Sequence, residues 1–240
     1  MTSPVFNTVL TCLLYLFYGV IIGVSCMPSI CLMYLCLHWF RPFGALLPIL
    51  CLSVACGVAL MLYFLTGTIV MAAVIRLLSL GIKAGKYPVT SFTMFRWLVF
   101  SGLYNCAGWL ILNKIPMTFL ITMFFRIIGA KIGKNVQINT WFLNDAYLLE
   151  IGDNVVIGGK TDVSCHSFEG GSLILNNVTI GCHTLIGQRC YISPGTTIGE
   201  NSVIGQYVYV RKNTVVPPRT VLSSIAGLPL RTVARIERQT

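Results

Sequence analysis

No acidic side chain occurs before Asp145 in this chain of 240 residues. The first forty residues carry no charge of either sign, and 34 more uncharged residues separate Arg41 from Arg76. A further 17 lie between Arg96 and Lys114. Runs of this kind exclude an ordinary soluble domain for the first half, because a bilayer span needs about 20 predominantly apolar residues and these segments supply them. Paired cysteine motifs are also missing: there are ten Cys but no Cys-x-x-Cys, which argues against structural zinc. Seven of them (Cys12, Cys26, Cys31, Cys36, Cys51, Cys56 and Cys106) sit in apolar segments, where the thiol acts as a small apolar group. The other three, Cys165, Cys182 and Cys190, suit a reducing compartment as free thiols. Histidine is scarce, and only His166 and His183 lie in the second half, too few for a three-histidine zinc site.

What charge there is divides sharply. Residues 1–144 hold nine Lys/Arg and no acid, a net +9; residues 145–240 hold eight Lys/Arg against seven acids, a net +1. Eight of the nine early cations fall between Arg76 and Lys134, as expected for the cytoplasmic flank of membrane spans and for contact with anionic headgroups. A nucleic-acid surface would place that charge on a soluble reading module, and none is visible, so no nucleic-acid partner is expected. The mean hydropathy of +0.79 belongs to the first half. Residues 5–40 are too long and lack the basic start of a signal peptide, and they fit one long tilted helix or a hairpin turning near Pro28. Residues 43–75 leave the same two choices, with Gly57 and Gly67 as breaks. Residues 93–128 fit one short span or helices lying in the interface.

The second half has an internal period. Ile174, Ile180, Ile186, Ile192, Ile198, Ile204, Val210, Val216 and Leu222 recur every six residues, and Ile151, Ile157 and Val163 keep the same step upstream. Gly follows the aliphatic residue at positions 133, 152, 158, 181, 187, 199 and 205. Six is neither the helical nor the simple strand period. It fits a solenoid of short strands whose sixth side chains stack inward, three hexads to a triangular coil of eighteen, so residues 132–222 make about five coils. Two irregularities interrupt it: one extra residue between Ile138 and Ile151, and eleven residues from Val163 to Ile174, read as an extruded loop.

Ile/Val-Gly hexads followed by Val210-Arg211-Lys212-Asn213 and a Gly227-Leu228-Pro229-Leu230-Arg231 tail resemble the left-handed β-helix, hexapeptide-repeat acyltransferases. The run from Asp145 through Ile151-Gly152-Asp153-Asn154 to His166 is similar to the galactoside and maltose O-acetyltransferases. Gly85-Lys86-Tyr87-Pro88, Arg96-Trp97 and Arg126–Gly133 resemble the membrane-bound C-terminal modules of poly-lysine-type non-ribosomal peptide synthetases. The resemblance implies a left-handed coil, a homotrimer with active sites in clefts between adjacent coils, and a thioester co-substrate: acyl-CoA (acetyl-CoA) or a carrier-bound phosphopantetheine, with no metal.

The expected architecture is an α-helical membrane domain over residues 1–128 and an all-β left-handed parallel β-helix, a triangular prism with a C-terminal tail, over 129–240. Acyl transfer needs a base near neutrality, and His166 in the register break is the candidate. Glu169, Asn144 or Asp145 would orient it, a choice the residues leave open. Gly170-Gly171 would let the loop backbone approach substrate. Lys212, Arg211 and Arg231 are candidates for the coenzyme A phosphates. The function expected is an integral (inner or cytoplasmic) membrane acyltransferase, its coil facing the cytoplasm, acting on a lipid, a lipid-linked glycan or a peptide near the bilayer. The alternatives are an amide-bond-forming module of poly-amino-acid synthesis and a non-enzymatic trimeric scaffold.

Overall fold

The structure is a computed structural model describing residues 4–40, 46–223 and 231–235, with only the backbone for 4–7 and 231–235. Two long helices open it, α1 (Pro4–Phe40) and α2 (Leu46–Ser79). Each is continuous: Pro28 lies inside α1, where it removes one backbone donor without ending the helix. At 1.5 Å per residue they run about 55 and 51 Å, longer than a hydrocarbon core of about 30 Å. Both are long and apolar enough to cross a membrane, and they leave Leu13, Leu16, Val20, Ile30, Val54 and Met61 exposed on their outer faces. Ile21, Ala55, Ala59 and Met71 are buried on their inner faces, and Tyr18 donates to the Val99 carbonyl at 2.9 Å. Buried hydroxyls are satisfied within the pair, Ser29 donating to the Ala59 carbonyl at 2.7 Å and Thr66 to that of Ser25 at 2.7 Å.

Helix α2 ends where a cation closes it from outside. The Arg96 guanidinium donates to the carbonyls of Leu78 and Leu80, each at 2.7 Å, satisfying groups the helix end leaves open. Two shorter helices follow, α3 (Phe92–Leu110) and α4 (Phe119–Ile128). Ser91 caps α3 by accepting from Met94 N–H at 3.1 Å, and Gly129, at φ +116°, caps α4 in the left-handed conformation.

From Lys131 the chain winds into a parallel β-helix. One face stacks Ile132, Ile151, Ile180, Ile198 and Val216; the next stacks Ile138, Ile157, Ile186, Ile204 and Leu222; the third stacks Leu143, Val163, Ile192 and Val210. These inward side chains are almost all fully buried and continue into the helices through Phe124, Phe125, Leu103 and Met71, so both halves share one core.

The register corrects the hexad count at one point. Ile180 pairs with Ile198, an 18-residue step, but Ile151 pairs with Ile180, a step of 29, eleven more. The coil therefore resumes at Ile180, and Ile174 belongs to the insertion. That insertion is a β-hairpin, His166–Glu169 against Ser172–Leu175, rather than a loop. Gly170 and Gly171, at φ +52° and +68°, form its two-residue turn, which requires positive φ at both places. Gly85–Pro88, far upstream, adds a third antiparallel strand to the hairpin. That strand lies before residue 128 in the chain yet is paired with the β half.

The second irregularity falls at the same corner of the prism. Leu143 to Ile151 is eight residues instead of six, and the surplus makes a short 3₁₀ turn, Ala146–Leu148, directly after Asp145. Since Leu143 pairs with Val163, this widened corner and the hairpin stack one coil apart.

Helix α3 is pressed against the coil at Gly108, where an added Cβ would lie 2.3 Å from the Trp141 ring. Trp141 is buried and stacked on Phe142 with centroids 4.2 Å apart, so it has little room to yield. Gly108→Ala is expected to cost about 1–3 kcal/mol through overpacking, whereas Gly57→Ala, with nothing within 4 Å of the new Cβ, should be neutral or stabilising. Thermal unfolding of the two variants in detergent checks the contrast.

Candidate active site

Asp145 and His166 sit on the two stacked irregularities and face each other. Asp145 adopts the left-handed conformation, φ +56°, that starts the 3₁₀ turn. Its Oδ2 lies 2.5 Å from His166 Nδ1, with the Asp145 side chain 2 % exposed and that of His166 24 %. Its other oxygen, Oδ1, accepts the indole N–H of Trp97 in α3 at 2.7 Å. An ionised carboxylate only accepts, so Nδ1 carries the proton toward Asp145 and Nε2 keeps its lone pair in the neutral ring. No described residue hydrogen-bonds Nε2. The Trp97 ring meets the imidazole edge-on at 5.0 Å and Phe168 at 5.4 Å, which fixes the imidazole plane from the apolar side.

The chain order explains the convergence. Gly85–Pro88 pairs with the hairpin, Val89 N–H donates to the Gly171 carbonyl at 3.2 Å, and α3 begins at Phe92. Trp97 follows within two turns and reaches the widened corner. One turn or two further on, the Tyr104 hydroxyl donates to the Trp141 carbonyl and accepts from Leu143 N–H at 3.2 Å, tying α3 to the strand before Asp145.

Beside the pair lies a cavity of about 160 Å³, lined by His166, Asp145 and Asn144 on the coil side and by Ile75, Trp97 and Asn105 on the helical side, among others. Tyr147 also lines it, its buried hydroxyl lying near the Asp145 carboxylate. Burial pushes the ionisation of this phenol up, and the nearby Asp145 carboxylate adds to the effect, so it remains a donor. The larger apolar groove between α1 and α2, around Leu35, Trp39 and Val54, contains none of these groups.

The remaining sequence candidates fall elsewhere. Asn144 turns its amide to Asp162, donating to Oδ1 at 3.0 Å, not to His166. Glu169 points away from the imidazole: it is exposed, pairs with Lys212 and accepts from Ser167 at 3.2 Å. Lys212 beside it holds its carboxyl below the usual range. Two residues assigned separate roles, one to orient the base and one to meet phosphate, are thus each other's partner. Arg211 is exposed on the same corner. The tail 227–230 and the side chain of Arg231 lie outside the described residues. His183 is exposed in a coil turn beside Asn154, and His38 stacks on Tyr34 in α1.

Sequence reasoning missed Trp97 as a site residue, and with it Asp162 and Tyr147. Asp162 is outward on the third face, in line with Tyr191 and Tyr209, whose rings stack at 5.4 Å. The one available signal was the eight-residue gap after Leu143, which marks a corner widened like the one holding His166.

Comparison with known proteins agrees with the coil. Residues 173–222 match the family described as bacterial transferase hexapeptide (six repeats). Over 121 residues, half of this chain, it is 31 % identical to a delta-poly-L-ornithine synthetase of Acinetobacter baumannii, spanning 9 % of that protein's length. Similar solved structures include a maltose O-acetyltransferase from Clostridium difficile 630, at 20 % identity, 65 % of this chain, 94 % of that one and a TM-score of 0.46. A galactoside acetyltransferase in complex with coenzyme A gives 22 %, 64 %, 88 % and 0.48. A hexapeptide-repeat acetyltransferase from Vibrio cholerae, complexed with acetyl coenzyme A, gives 18 %, 68 %, 99 % and 0.48. The second half of the chain is a parallel β-helix whose residues 173–222 match the hexapeptide model, joined here to a helical half.

Burial raises the Asp162 carboxyl above its ordinary value, the Asn144 amide and His166 pulling it partly back. A buried acid with a raised value favours the folded chain while protonated and loses that advantage as the pH rises through its folded value. Asp162→Asn is therefore expected to raise the Tm above wild type at pH 7, the difference shrinking below about pH 4, near the unfolded carboxyl value. Paired melting curves across pH 3.5–7.5 test this.

Proposed function

We propose that the protein is a membrane-embedded acyltransferase. It moves an acyl group, acetyl being the simplest, from a coenzyme A or phosphopantetheine thioester to a hydroxyl or amine of an acceptor held at the bilayer surface. The observation that carries this reading is the Asp145–His166 pair: Nδ1 anchored at 2.5 Å, Nε2 unbonded, and a cavity alongside. The hexapeptide repeat supports it.

In this mechanism Nε2 takes the acceptor's proton as its oxygen or nitrogen attacks the thioester carbonyl. Asp145 stabilises the imidazolium that forms, and the indole N–H of Trp97 keeps the carboxylate turned to it. The tetrahedral oxyanion needs a donor, and the Tyr147 hydroxyl, in the cavity wall beside Asp145, offers one. When the C–S bond breaks, the imidazolium returns its proton to the leaving sulfur, releasing the free thiol. Lys212 and Arg211 stand at the open end of the Tyr191–Tyr209 face, where the donor's phosphates would displace Glu169 from Lys212.

α1 and α2 span the bilayer in this reading, and the cations from Arg76 to Lys134 put the coil on the cytoplasmic side. Trimerisation through the coils belongs to the same reading. The helical cover over His166 comes from the same chain, so the site does not wait on a neighbouring copy to gain its second wall.

Amide formation is favoured over ester formation by one feature. Two carboxylates, Asp145 and Asp162, lie near the imidazole, and the adjacent Lys212 is already paired with Glu169. That field attracts a cationic amine, which gives up its extra proton to solvent before the nitrogen attacks, and the similarity to a delta-poly-L-ornithine synthetase accords with such an acceptor.

His166→Ala is expected to lower turnover of acetyl-CoA with a membrane extract by about 10²–10⁴-fold, read as thiol release. Trp97→Phe, which keeps the ring but removes its N–H, should reduce it by about tenfold and cost about 1–3 kcal/mol of stability, because the buried Asp145 carboxylate loses one of its two donors. Unchanged turnover in His166→Ala would sink the mechanism.

A further inference from the structure

A second cleft, of about 750 Å³, opens on the other side of the Trp141–Asn144 segment. Its walls are Trp109, Trp141 and Phe142, with Asn113, Asn139, Gln188, Lys160 and Arg189 as its polar groups. It holds two cations, three amides, flat aromatic surface and no carboxylate. Trp109 is one turn beyond Asn105, which lines the His166 cavity, so the two spaces lie along the same helix.

The coil's backbone supplies an independent observation. Every corner column of the prism contains residues held at positive φ, where Asn, Asp and Gly are the favoured types. One column obliges with Asn135, Asn154 and Asn201 beside His183 and Arg219, and the active-site column has Asp145, Gly195 and Asn213. The column at this cleft has Lys160, Arg189 and Tyr207, none of them a favoured type. Arg189 is steadied by Tyr207, whose hydroxyl accepts from it at 3.2 Å. Arg219 shows that the fold tolerates a single long cation at such a turn, but a whole column without one favoured type marks a cost borne for something other than folding.

The rim shows which ligand comes. Trp109, in the cleft wall, is 68 % exposed; Leu110 follows it in the chain, and Met117 and Phe119, just past Pro116 of the same wall, are exposed on a neighbouring groove. Exposed aromatic and aliphatic residues on short helices belong at the bilayer surface, and a basic cleft above them is the setting for a phosphate headgroup. We infer that this cleft binds the phosphate-bearing headgroup of a membrane lipid, with Lys160 and Arg189 on the phosphate and Trp109, Trp141 and Phe142 against the headgroup's flat or sugar portion. The inference rests on α1 and α2 spanning the bilayer, and it gives the membrane-proximal acceptor, or a lipid that anchors the coil, a defined seat next to His166.

The test uses the full chain in neutral detergent, titrated calorimetrically with dioctanoylphosphatidylglycerol, dioctanoylphosphatidylcholine and coenzyme A. Saturable binding of the anionic lipid is expected, with the zwitterionic lipid at least about tenfold weaker. The double variant Lys160→Asn, Arg189→Asn should weaken the anionic lipid by about tenfold or more, while its melting temperature holds or rises because Asn suits the left-handed turns. His166→Ala should bind lipid as wild type does, which separates this claim from the acyl-transfer reading. Equal binding by the double variant, equal binding of the two lipids, or displacement of the anionic lipid by coenzyme A would each overturn the inference, the last by giving the cleft to a soluble nucleotide's phosphates.

Discussion

The carboxylate of Asp145 accepts from two parts of the chain far apart in sequence: an indole in a helix of the apolar half and an imidazole on a hairpin of the coil. Both oxygens are used, and the group is nearly inaccessible. A buried carboxylate is tolerated only when it is well paired, so losing either donor would leave an expensive charge in the interior. The placement of Gly85–Pro88 on the hairpin, the cap at Ser91, the close approach at Gly108 and the Tyr104 link to Leu143 all serve to bring α3 to that carboxylate. The helical half is therefore structurally part of the candidate site.

The coil contributes regularity and two deliberate departures from it. Hexads in register form a stiff prism, and stiffness is useful because a hydrogen-bonded pair must be held within a few tenths of an ångström. Departures at one corner, two residues after Leu143 and eleven after Val163, give that prism a place to present Asp145 and His166. The other corners run without insertions of this size.

Much of this was legible in the sequence, for physical reasons. Inward Ile and Val at every sixth place must recur if coils are to stack, so fold and rough coil count follow from counting. The apolar half follows from the absence of charge, though continuity through Pro28 does not, since an interior proline either kinks or is absorbed according to packing. Ile174 misled because it lies six residues before Ile180 by coincidence, while in a hairpin strand alternation decides which side is buried. Glu169 was plausible by proximity to His166 in the chain. In a strand, though, Glu169 is three residues from His166, and neighbours at odd separations point to opposite faces. Asp145 stayed one of three choices because it is 21 residues from His166, and only stacking of the two irregular corners brings them together. Trp97 stood in a motif, Arg96-Trp97, that carried a resemblance but no role: an aromatic in an apolar helix reads as packing until its N–H is seen to have a partner.

The central claim is that His166, oriented by Asp145 and roofed by α3, is where the thioester carbonyl is attacked. A structure of the detergent-solubilised protein with a non-hydrolysable coenzyme A thioester analogue bound tests it most directly. The account requires the analogue's carbonyl carbon beside His166 Nε2, with the Asp145 and Trp97 hydrogen bonds intact and the cavity continuous toward the helices. An analogue seated away from His166, or an imidazole turned off Asp145 when the ligand is bound, would contradict it.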